Sequence, residues 1–177
     1  MKFFIGISTL FLAVALFAPQ TSQAQFNQGK MFLGPALDFH DPIGFGAEFE
    51  TGVSPNIGIG GLLRYWGKSI DVPGGSSSWS LIIPQVVGYY HFMPGQNLDP
   101  YVGARLGYAI FNTSFESSIP GYTYNGGGES GLFLNAAGGL RYFVNRSIGI
   151  NGSLEFRLAG DKYLTDLGLL VGVDFTL

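Results

Sequence analysis

Ten ionisable side chains stand at alternate positions inside otherwise apolar stretches of this 177-residue chain, and they offer its clearest capacity for chemistry. Six are acids and four are arginines: Asp38, Glu48, Glu50, Arg64, Arg105, Arg141, Glu155, Arg157, Asp166 and Asp174. The planar guanidinium group binds carboxylates through two parallel hydrogen bonds. If these side chains share one enclosed space, we expect a network of salt bridges with two net negative charges. The alternative use of the same groups is an ion or proton path.

A second set of residues has the types needed for nucleophilic catalysis. His40 and Asp41 lie in a predicted turn, and serines at 76–78, 114, 117 and 118 lie in predicted loops that could approach them. A Ser/His/Asp arrangement at the rim of a barrel would suit an enzyme that modifies lipid. Such neighbours arise easily in polar loops, so the prediction is that the protein is not an enzyme.

Other chemistries lack the residues they need. The chain has no cysteine and two histidines, which excludes disulfides and thiolate chemistry and leaves too few ligands for a structural zinc site. No phosphate-binding loop, dinucleotide fingerprint or His-Glu-x-x-His motif occurs. The pI is near 5.2 and there is no basic cluster, which argues against nucleic acid as a partner. We therefore predict no cofactor and no metal.

The elements that must position the ten charges are strands. In the last stretch, 165–177, every second residue from Leu167 is apolar, and the residues between them are small or polar apart from Leu170. Successive side chains of a strand point to opposite faces, so this stretch has one apolar face. A membrane-spanning strand needs about 9–11 residues, so its length is sufficient to cross a bilayer.

The same alternation recurs along the chain and predicts eight strands. They cover residues 30–39, 43–52, 57–67, 79–92, 100–113, 129–144, 147–158 and 165–177. Pro35 is awkward within a sheet and predicts a bulge. Long loops are predicted at 68–78 and 114–128, with short turns on the other side. The fourth strand is nearly all apolar, and we place Ile82, Val86, Tyr90 and Phe92 on its outward face.

The strand faces were assigned from the apolar residues alone, so the positions of the charged residues are an independent check. Each of the ten ionisable residues falls on the face opposite the apolar one, as a bilayer would enforce, since a charge on the lipid face costs roughly 2–4 kcal/mol. Only 12% of residues are charged, too few to coat a water-facing surface. Without an apolar helix after the N-terminal segment, a closed β-barrel is the membrane-spanning solution that remains. Inward glycines such as Gly44 and Gly58 would make room for the long side chains.

The first 24 residues read as a secretory signal peptide. Lys2 precedes an apolar run, and Ser22 and Ala24 supply the small residues of a cleavage site between Ala24 and Gln25. The predicted domains are therefore a cleaved signal peptide at 1–24 and a barrel at 25–177. The predicted fold is all-β, an eight-stranded antiparallel up-and-down transmembrane β-barrel.

Three segments carry a resemblance to a known family. Residues 100–108 (PYVGARLGY), 135–143 (NAAGGLRYF) and 148–158 resemble the small, porin-like outer-membrane β-barrel family of OmpA transmembrane domain, OmpX and OmpW types. The resemblance implies a protein of the cell outer membrane, inserted through its last strand by the barrel-assembly machinery. Family members often end in an aromatic residue, whereas this chain ends in Leu177 with Phe175 two residues before it. The implied partners are outer-membrane lipid and lipopolysaccharide, and the implied state is a monomer.

The predicted function is a structural or surface-interaction role through the outer loops, with the lumen plugged by salt bridges. The first alternative is passive transport of a small or apolar solute, which an apolar stretch lining the upper lumen would favour. A lipid-modifying enzyme, for which His40 would be essential, ranks third. A soluble barrel of lipocalin type stays open as a fourth reading, although burying ten inward charges without neutralising them would be costly.

Overall fold

The computed structural model describes residues 25–40, 42–117, 123–128, 130–160 and 167–177. Within them the chain forms nine strands: β1 Met31–Asp38, β2 Gly44–Gly52, β3 Ile57–Val72, β4 Gly75–His91, β5 Leu98–Ser117, β6 Thr123–Gly127, β7 Gly131–Phe143, β8 Ile148–Gly160 and β9 Leu167–Thr176. None of the described segments is a helix of the length and apolarity that a membrane crossing requires.

Eight of these strands close into an antiparallel barrel. Neighbouring strands pair in chain order, β1 also pairs with β9, and β4 pairs with β5. The short strand β6 pairs only with β5, outside the ring. The predicted eight-stranded barrel is therefore confirmed.

The two faces of the wall follow the alternation in the sequence. Large apolar side chains are exposed all round the barrel, for example Leu63, Val86, Leu106 and Phe156. The outward residues Ile82, Val86 and Tyr90 of β4 are exposed, as is Phe92 directly after it, while Ile83, Val87 and Tyr89 are buried. The exposed residues form an apolar belt around the outside, and the charged residues of the wall below the extended ends of β3, β4 and β5 face the lumen.

The prediction of long loops at 68–78 and 114–128 is wrong, because most of these residues lie in strands. β3 and β4 continue to Val72 and Gly75, joined by the turn at Pro73 and Gly74. β5 continues to Ser117 and pairs with β6. Residues 67–72, 75–80, 112–117 and 123–127 thus form a four-stranded sheet above one side of the barrel, here called the sheet extension. The serines and glycines of these stretches predicted loops. Backbone hydrogen bonds between neighbouring strands do not depend on the side chain, so the strands continue through them.

The bulge predicted at Pro35 is also wrong. The β1–β2 register runs without interruption through Pro35 and Ala47. On the other side of β1, pairing with β9 is absent at Gly34 and Pro35 and resumes in the same register at Ala36. Proline lacks an N–H, so the ladder loses a bond there without an inserted residue. The register shift that the structure does show lies between Leu134 and Asn135 on β7, opposite β8.

The lumen is filled in layers along the barrel axis. The end that carries residue 25, residue 177 and the turns at 53–56, 92–97 and 144–147 is called the terminal end. A phenylalanine cluster closes this end, two charged clusters occupy the middle, and an apolar layer lies beneath the sheet extension. These layers form because the strand register places inward residues of different strands at the same height along the barrel axis.

Candidate functional site

The charged cluster nearer the sheet extension, called the upper cluster, is built around two arginines from neighbouring walls. Arg64 on β3 donates from Nη1 to Asp38 Oδ2 at 2.7 Å and also pairs with Glu155. Arg105 on β5 donates from Nη1 to the other oxygen of Glu155 at 3.1 Å and from Nη2 to Ser153 Oγ at 2.9 Å. Glu155 on β8 therefore bridges two arginines across the lumen.

Two further groups complete the upper cluster. The Nε of Arg105 donates to the Tyr89 hydroxyl at 2.8 Å, and its guanidinium carbon lies 5.6 Å from the Tyr89 ring centroid. Glu48 Oε2 is 3.9 Å from Arg105 Nη2. All of these side chains are buried, so each charge relies on its partners in place of water.

The second group, called the lower cluster, lies nearer the terminal end. Arg141 on β7 donates from Nε to Asp174 and from Nη2 to Glu50, both at 2.7 Å. Asn151 donates from Nδ2 to the second oxygen of Asp174 at 2.7 Å. The arginine thus connects β2 to β9 through two separate carboxylates.

His91 belongs to the lower cluster, although it is not among the ten side chains that the sequence predicts for the lumen. Its Nε2 lies 2.7 Å from Glu50 Oε1, and its Nδ1 lies 2.7 Å from Asp99 Oδ2. Both ring nitrogens of His91 therefore face carboxylate oxygens, one on β2 and one on β5. The alternation on β4 places His91 on the inward face with Tyr89, which was the available signal. Asp99, assigned to a turn, lies on β5 and is also buried.

Small residues opposite the charged groups make the clusters possible. A Cβ placed on Gly58 would lie 1.8 Å from Glu50 Oε1, and one on Gly168 would lie 3.0 Å from Glu155 Cγ. Gly44 leaves room in the same way for the Trp66 ring, with 2.3 Å from its ideal Cβ to Nε1. The notion that inward glycines accommodate long side chains therefore holds at these positions, whereas a Cβ at Gly60 would meet the backbone oxygen of Phe49.

A segment before β1 closes the terminal end. Phe26 is fully buried, stacks on the His91 imidazole and packs with Phe32 and Phe143. The segment is held by Gly29 N donating to Gly52 O at 2.8 Å and Gly95 N donating to Phe26 O at 3.2 Å. The phenylalanine ring lies directly below the lower cluster.

The upper end of the lumen is apolar, which sequence reasoning did not anticipate. Five side chains pack into one layer, Trp66, Leu81, Ile83, Ala109 and Phe133, with Trp79 and Phe111 against them. Beside this layer are polar atoms with no hydrogen-bond partner among the described residues. They are Trp66 Nε1, both amide atoms of Gln85, and Nε and Nη2 of Arg64.

Eight of the ten predicted lumen residues are ion-pair partners in the structure: Asp38, Glu48, Glu50, Arg64, Arg105, Arg141, Glu155 and Asp174. Arg157 is half-buried on β8 above Glu155. Asp166 lies outside the described residues, as do Ala24 and the rest of 1–24; Gln25 is described and half-buried.

The proposed assembly residues lie at the terminal end. Phe175 and Leu177 are both exposed, and Leu177 N donates to Met31 O at 2.9 Å. β9 therefore closes the barrel against β1 with its apolar face outward.

Two serines of the hypothetical hydrolase lie on the opposite face of the wall from His40. His40 pairs with Asp38 and meets the Trp66 ring edge-on at a centroid distance of 6.1 Å, on the lumen side. Ser78 and Ser114 bond each other at 2.7 Å on the outward face of the sheet extension. Asp41 and Ser118 lie outside the described residues. In the part of the chain that the structure describes, no group of histidines and carboxylates has the arrangement of a metal site.

Comparison with known proteins finds similarity in structure and not in sequence. No family model matches the chain, and no curated protein matches its sequence. The N-terminal β-barrel domain of Pseudomonas aeruginosa OprF superposes with a TM-score of 0.59 at 18% identity, covering 85% of this chain and 98% of that one. Ail, the attachment invasion locus protein of Yersinia pestis, gives 0.57 at 14% identity, covering 85% and 99%. Neisserial surface protein A gives 0.51 at 13% identity, covering 84% and 95%.

At these identities the likeness shows the fold. It is the eight-stranded antiparallel β-barrel that the sequence predicted, the fold of these three small outer-membrane proteins. The outer-membrane localisation predicted from the sequence has the support of these neighbours.

Proposed function

We propose that the protein is an integral outer-membrane barrel with a closed lumen, which acts as a structural or surface-interaction protein through its sheet extension. Its proposed surroundings are outer-membrane lipid and lipopolysaccharide, and its proposed route of insertion is the barrel-assembly machinery. It is proposed to be a monomer and to have no enzymatic activity.

The observation that carries the proposal is the filling of the lumen. Glu155 joins Arg64 to Arg105 across the upper cluster, and Arg141 joins Glu50 to Asp174 across the lower one. Phe26 then covers the lower cluster at the terminal end. An eight-stranded barrel is just wide enough for side chains to fill, so ionic and aromatic layers of this kind leave no room for a solute.

The outward surface supports insertion into a membrane. The exposed belt is composed of large apolar residues, with half or more of the side chain exposed at Val86, Leu106 and Leu132. Burying such a belt in hydrocarbon gains roughly 25 cal/mol per Å² of apolar surface. In water the same belt would be far larger than the apolar patches that soluble monomers expose.

The sheet extension supports a role at the surface. It rises beyond the barrel wall as paired strands, which gives a rigid platform in place of mobile loops. The name of Ail describes attachment and invasion by a protein of the same fold. Fold alone does not determine function, so the extension's own chemistry must carry any specific role.

The experiment has two parts, both on the mature chain. Cell envelopes are fractionated, and the protein is run on a gel with and without boiling in detergent. We expect retention in the outer membrane and a heat-dependent shift in migration. Purified protein in planar bilayers is expected to show no stable conductance. A freely soluble protein, or a steady open channel, would each contradict the proposal.

A second candidate is favoured by the apolar layer of the upper lumen. The layer of Trp66, Ile83 and Phe133 lies beside the unpartnered amide of Gln85. This combination suits a small apolar solute with one polar group, entering from the end that carries the sheet extension. Quenching of tryptophan fluorescence by medium-chain alcohols or acids tests it, and saturable quenching that Ile83→Trp abolishes would favour this candidate over the closed barrel.

A further inference from the structure

The outward face of the sheet extension carries a groove that neither the barrel closure nor the lumen explains. Its volume is about 650 Å³. The side chains that give it its character carry hydroxyl or amide groups: Tyr65, Ser69, Ser78, Ser80, Asn112 and Ser114. Among the lumen clusters, the phenylalanine cluster and the surface of the described residues, this groove is the feature best suited to a ligand from outside the chain.

Strand register aligns these side chains in rows across three strands. Ser80 on β4 is directly opposite Gly67 on β3 and Asn112 on β5. In the next row Ser78 is opposite Ser69 and Ser114. All of them share the outward face with Tyr65, because they are an even number of residues from outward positions of the same strands.

The chemistry of the groove matches a polyhydroxylated ligand. Hydroxyl groups and a carboxamide both donate and accept hydrogen bonds, as sugar hydroxyls do. The half-exposed ring of Tyr65 lies along the strand toward Gly67, because its hydroxyl is 2.7 Å from the position that a Cβ on Gly67 would occupy. The ring therefore lines the lower edge of the groove. Such a ring offers an apolar face together with a polar tip.

The position of the groove indicates where the sugar comes from. Directly below it on the same face are Leu63 and Ile82, which belong to the apolar belt. Girdles of aromatic residues mark the boundary between hydrocarbon and headgroups in barrels of this type. Tyr65 on β3 and Tyr108 on β5 are both exposed just below the sheet extension, as members of such a girdle would be. A groove that begins at Tyr65 and extends upward therefore lies at the level of lipid headgroups.

We propose that this groove binds the sugar headgroup of a glycolipid of the surrounding leaflet. The inference rests on the proposed placement of the barrel in the outer membrane. The lipid chains lie along the belt below Tyr65, and the sugar hydroxyls exchange hydrogen bonds with the serine rows and Asn112. The sheet extension is then both a surface platform and a lipid-binding element.

The test titrates the full mature chain in detergent with three probes and counts bound molecules by native mass spectrometry. The probes are a lipopolysaccharide without its O-antigen, phosphatidylglycerol, and the free oligosaccharide released from the same lipopolysaccharide. We expect the lipopolysaccharide to bind at least about tenfold more tightly than either other probe, which corresponds to about 1.4 kcal/mol.

Two variants test whether the lipopolysaccharide binds in the groove. Ser80→Leu with Asn112→Leu fills the groove from its centre and is expected to lower the affinity for the lipopolysaccharide by about tenfold or more, as loss of several hydrogen bonds implies. The matched control is Ser76→Leu, a serine of the same strand and face that does not line the groove. Its affinity is expected to stay within about twofold of the parent, as for a surface substitution.

Several outcomes would overturn the inference. Equal affinity for phosphatidylglycerol would show that the groove does not recognise sugar, and equal affinity for the free oligosaccharide would make the ligand a soluble glycan. Unchanged binding by the doubly substituted variant would place the lipid elsewhere on the barrel. The heat-dependent gel shift is recorded for every variant, so a protein that is embedded and folded but does not bind contradicts this inference alone. A protein that is not embedded contradicts the proposed function instead.

Discussion

The ring of Phe26 lies flat on the imidazole of His91, with centroids 3.6 Å apart and ring planes 9° from parallel. Through this contact the segment before the first strand is joined to the lower cluster, because His91 also bonds Glu50 and Asp99. If the signal peptide is cleaved after Ala24, Phe26 is the second residue of the mature protein. The first residues of the mature protein would then close the lumen at the terminal end.

Removing that ring should weaken the barrel measurably. Phe26→Ala deletes a fully buried aromatic side chain, and such substitutions cost about 3–5 kcal/mol in well-packed cores. We expect the free energy of unfolding, measured by urea titration in lipid vesicles, to fall by that order. Asn27→Ala changes an exposed neighbour in the same segment and serves as the control. Equal stability of the two variants would mean that the segment does not seal the barrel.

Glycine at position 58 should be needed because Glu50 occupies the space of a side chain there. Gly58→Ala would place a Cβ 1.8 Å from Glu50 Oε1 and force the carboxylate away from Arg141 and His91. Breaking these buried charged hydrogen bonds is expected to cost at least about 2 kcal/mol of unfolding free energy.

The control for Gly58→Ala is Gly152→Ala, where an added Cβ meets nothing within 4 Å. It should change stability by less than about 0.5 kcal/mol. Adding Glu50→Asp, which shortens the acid, should recover part of the loss in the Gly58→Ala variant. A purely additive double variant would rule out the contact as the cause.

Glu155 should be the most sensitive carboxylate of the upper cluster, since it bridges Arg64 and Arg105. Glu155→Gln leaves each of the two buried guanidinium groups with one of its two carboxylate partners, at an expected cost of about 3–5 kcal/mol. Thermal unfolding in detergent, followed by the heat-dependent gel shift, provides the measurement. Glu116→Gln removes an exposed carboxylate of the sheet extension and should leave the transition within a degree or two. A small shift for both variants would argue that the network is not structural.

The outward assignment of the fourth barrel strand can be tested by adding a charge. Val86 is exposed in the apolar belt, so Val86→Arg should cost roughly 2–4 kcal/mol and reduce the yield of folded protein in vesicles. Val72→Arg places the same side chain at the tip of the sheet extension, where the expected change is within about 0.5 kcal/mol. If Val86→Arg folds as well as Val72→Arg, that face of the wall does not contact lipid.

Much of the wall was predictable because it depends on local alternation. Side chains alternate between the two faces of a strand, so a strand with one face in contact with lipid has an apolar residue at every second position, as at Leu167, Leu169 and Val171. The same period placed Glu48, Arg105 and Glu155 on the inward face. Even the ambiguous fourth strand was assigned correctly from its alternation around Val86.

What the sequence left undetermined depends on contacts between distant segments. Which carboxylate meets which arginine is set by barrel closure and stagger, and Glu155 reaches Arg64 across 91 positions of the chain. The extension of β3, β4 and β5 was missed because its serines and glycines favour loops locally, while ladder hydrogen bonds between neighbours override that preference. Phe26 likewise has no periodic signal, and only the closed barrel offers the pocket that buries it. The sequence alone determined which side chains face inward and which face outward, and the tertiary structure decided their partners, because pairing needs register and closure that no local pattern contains.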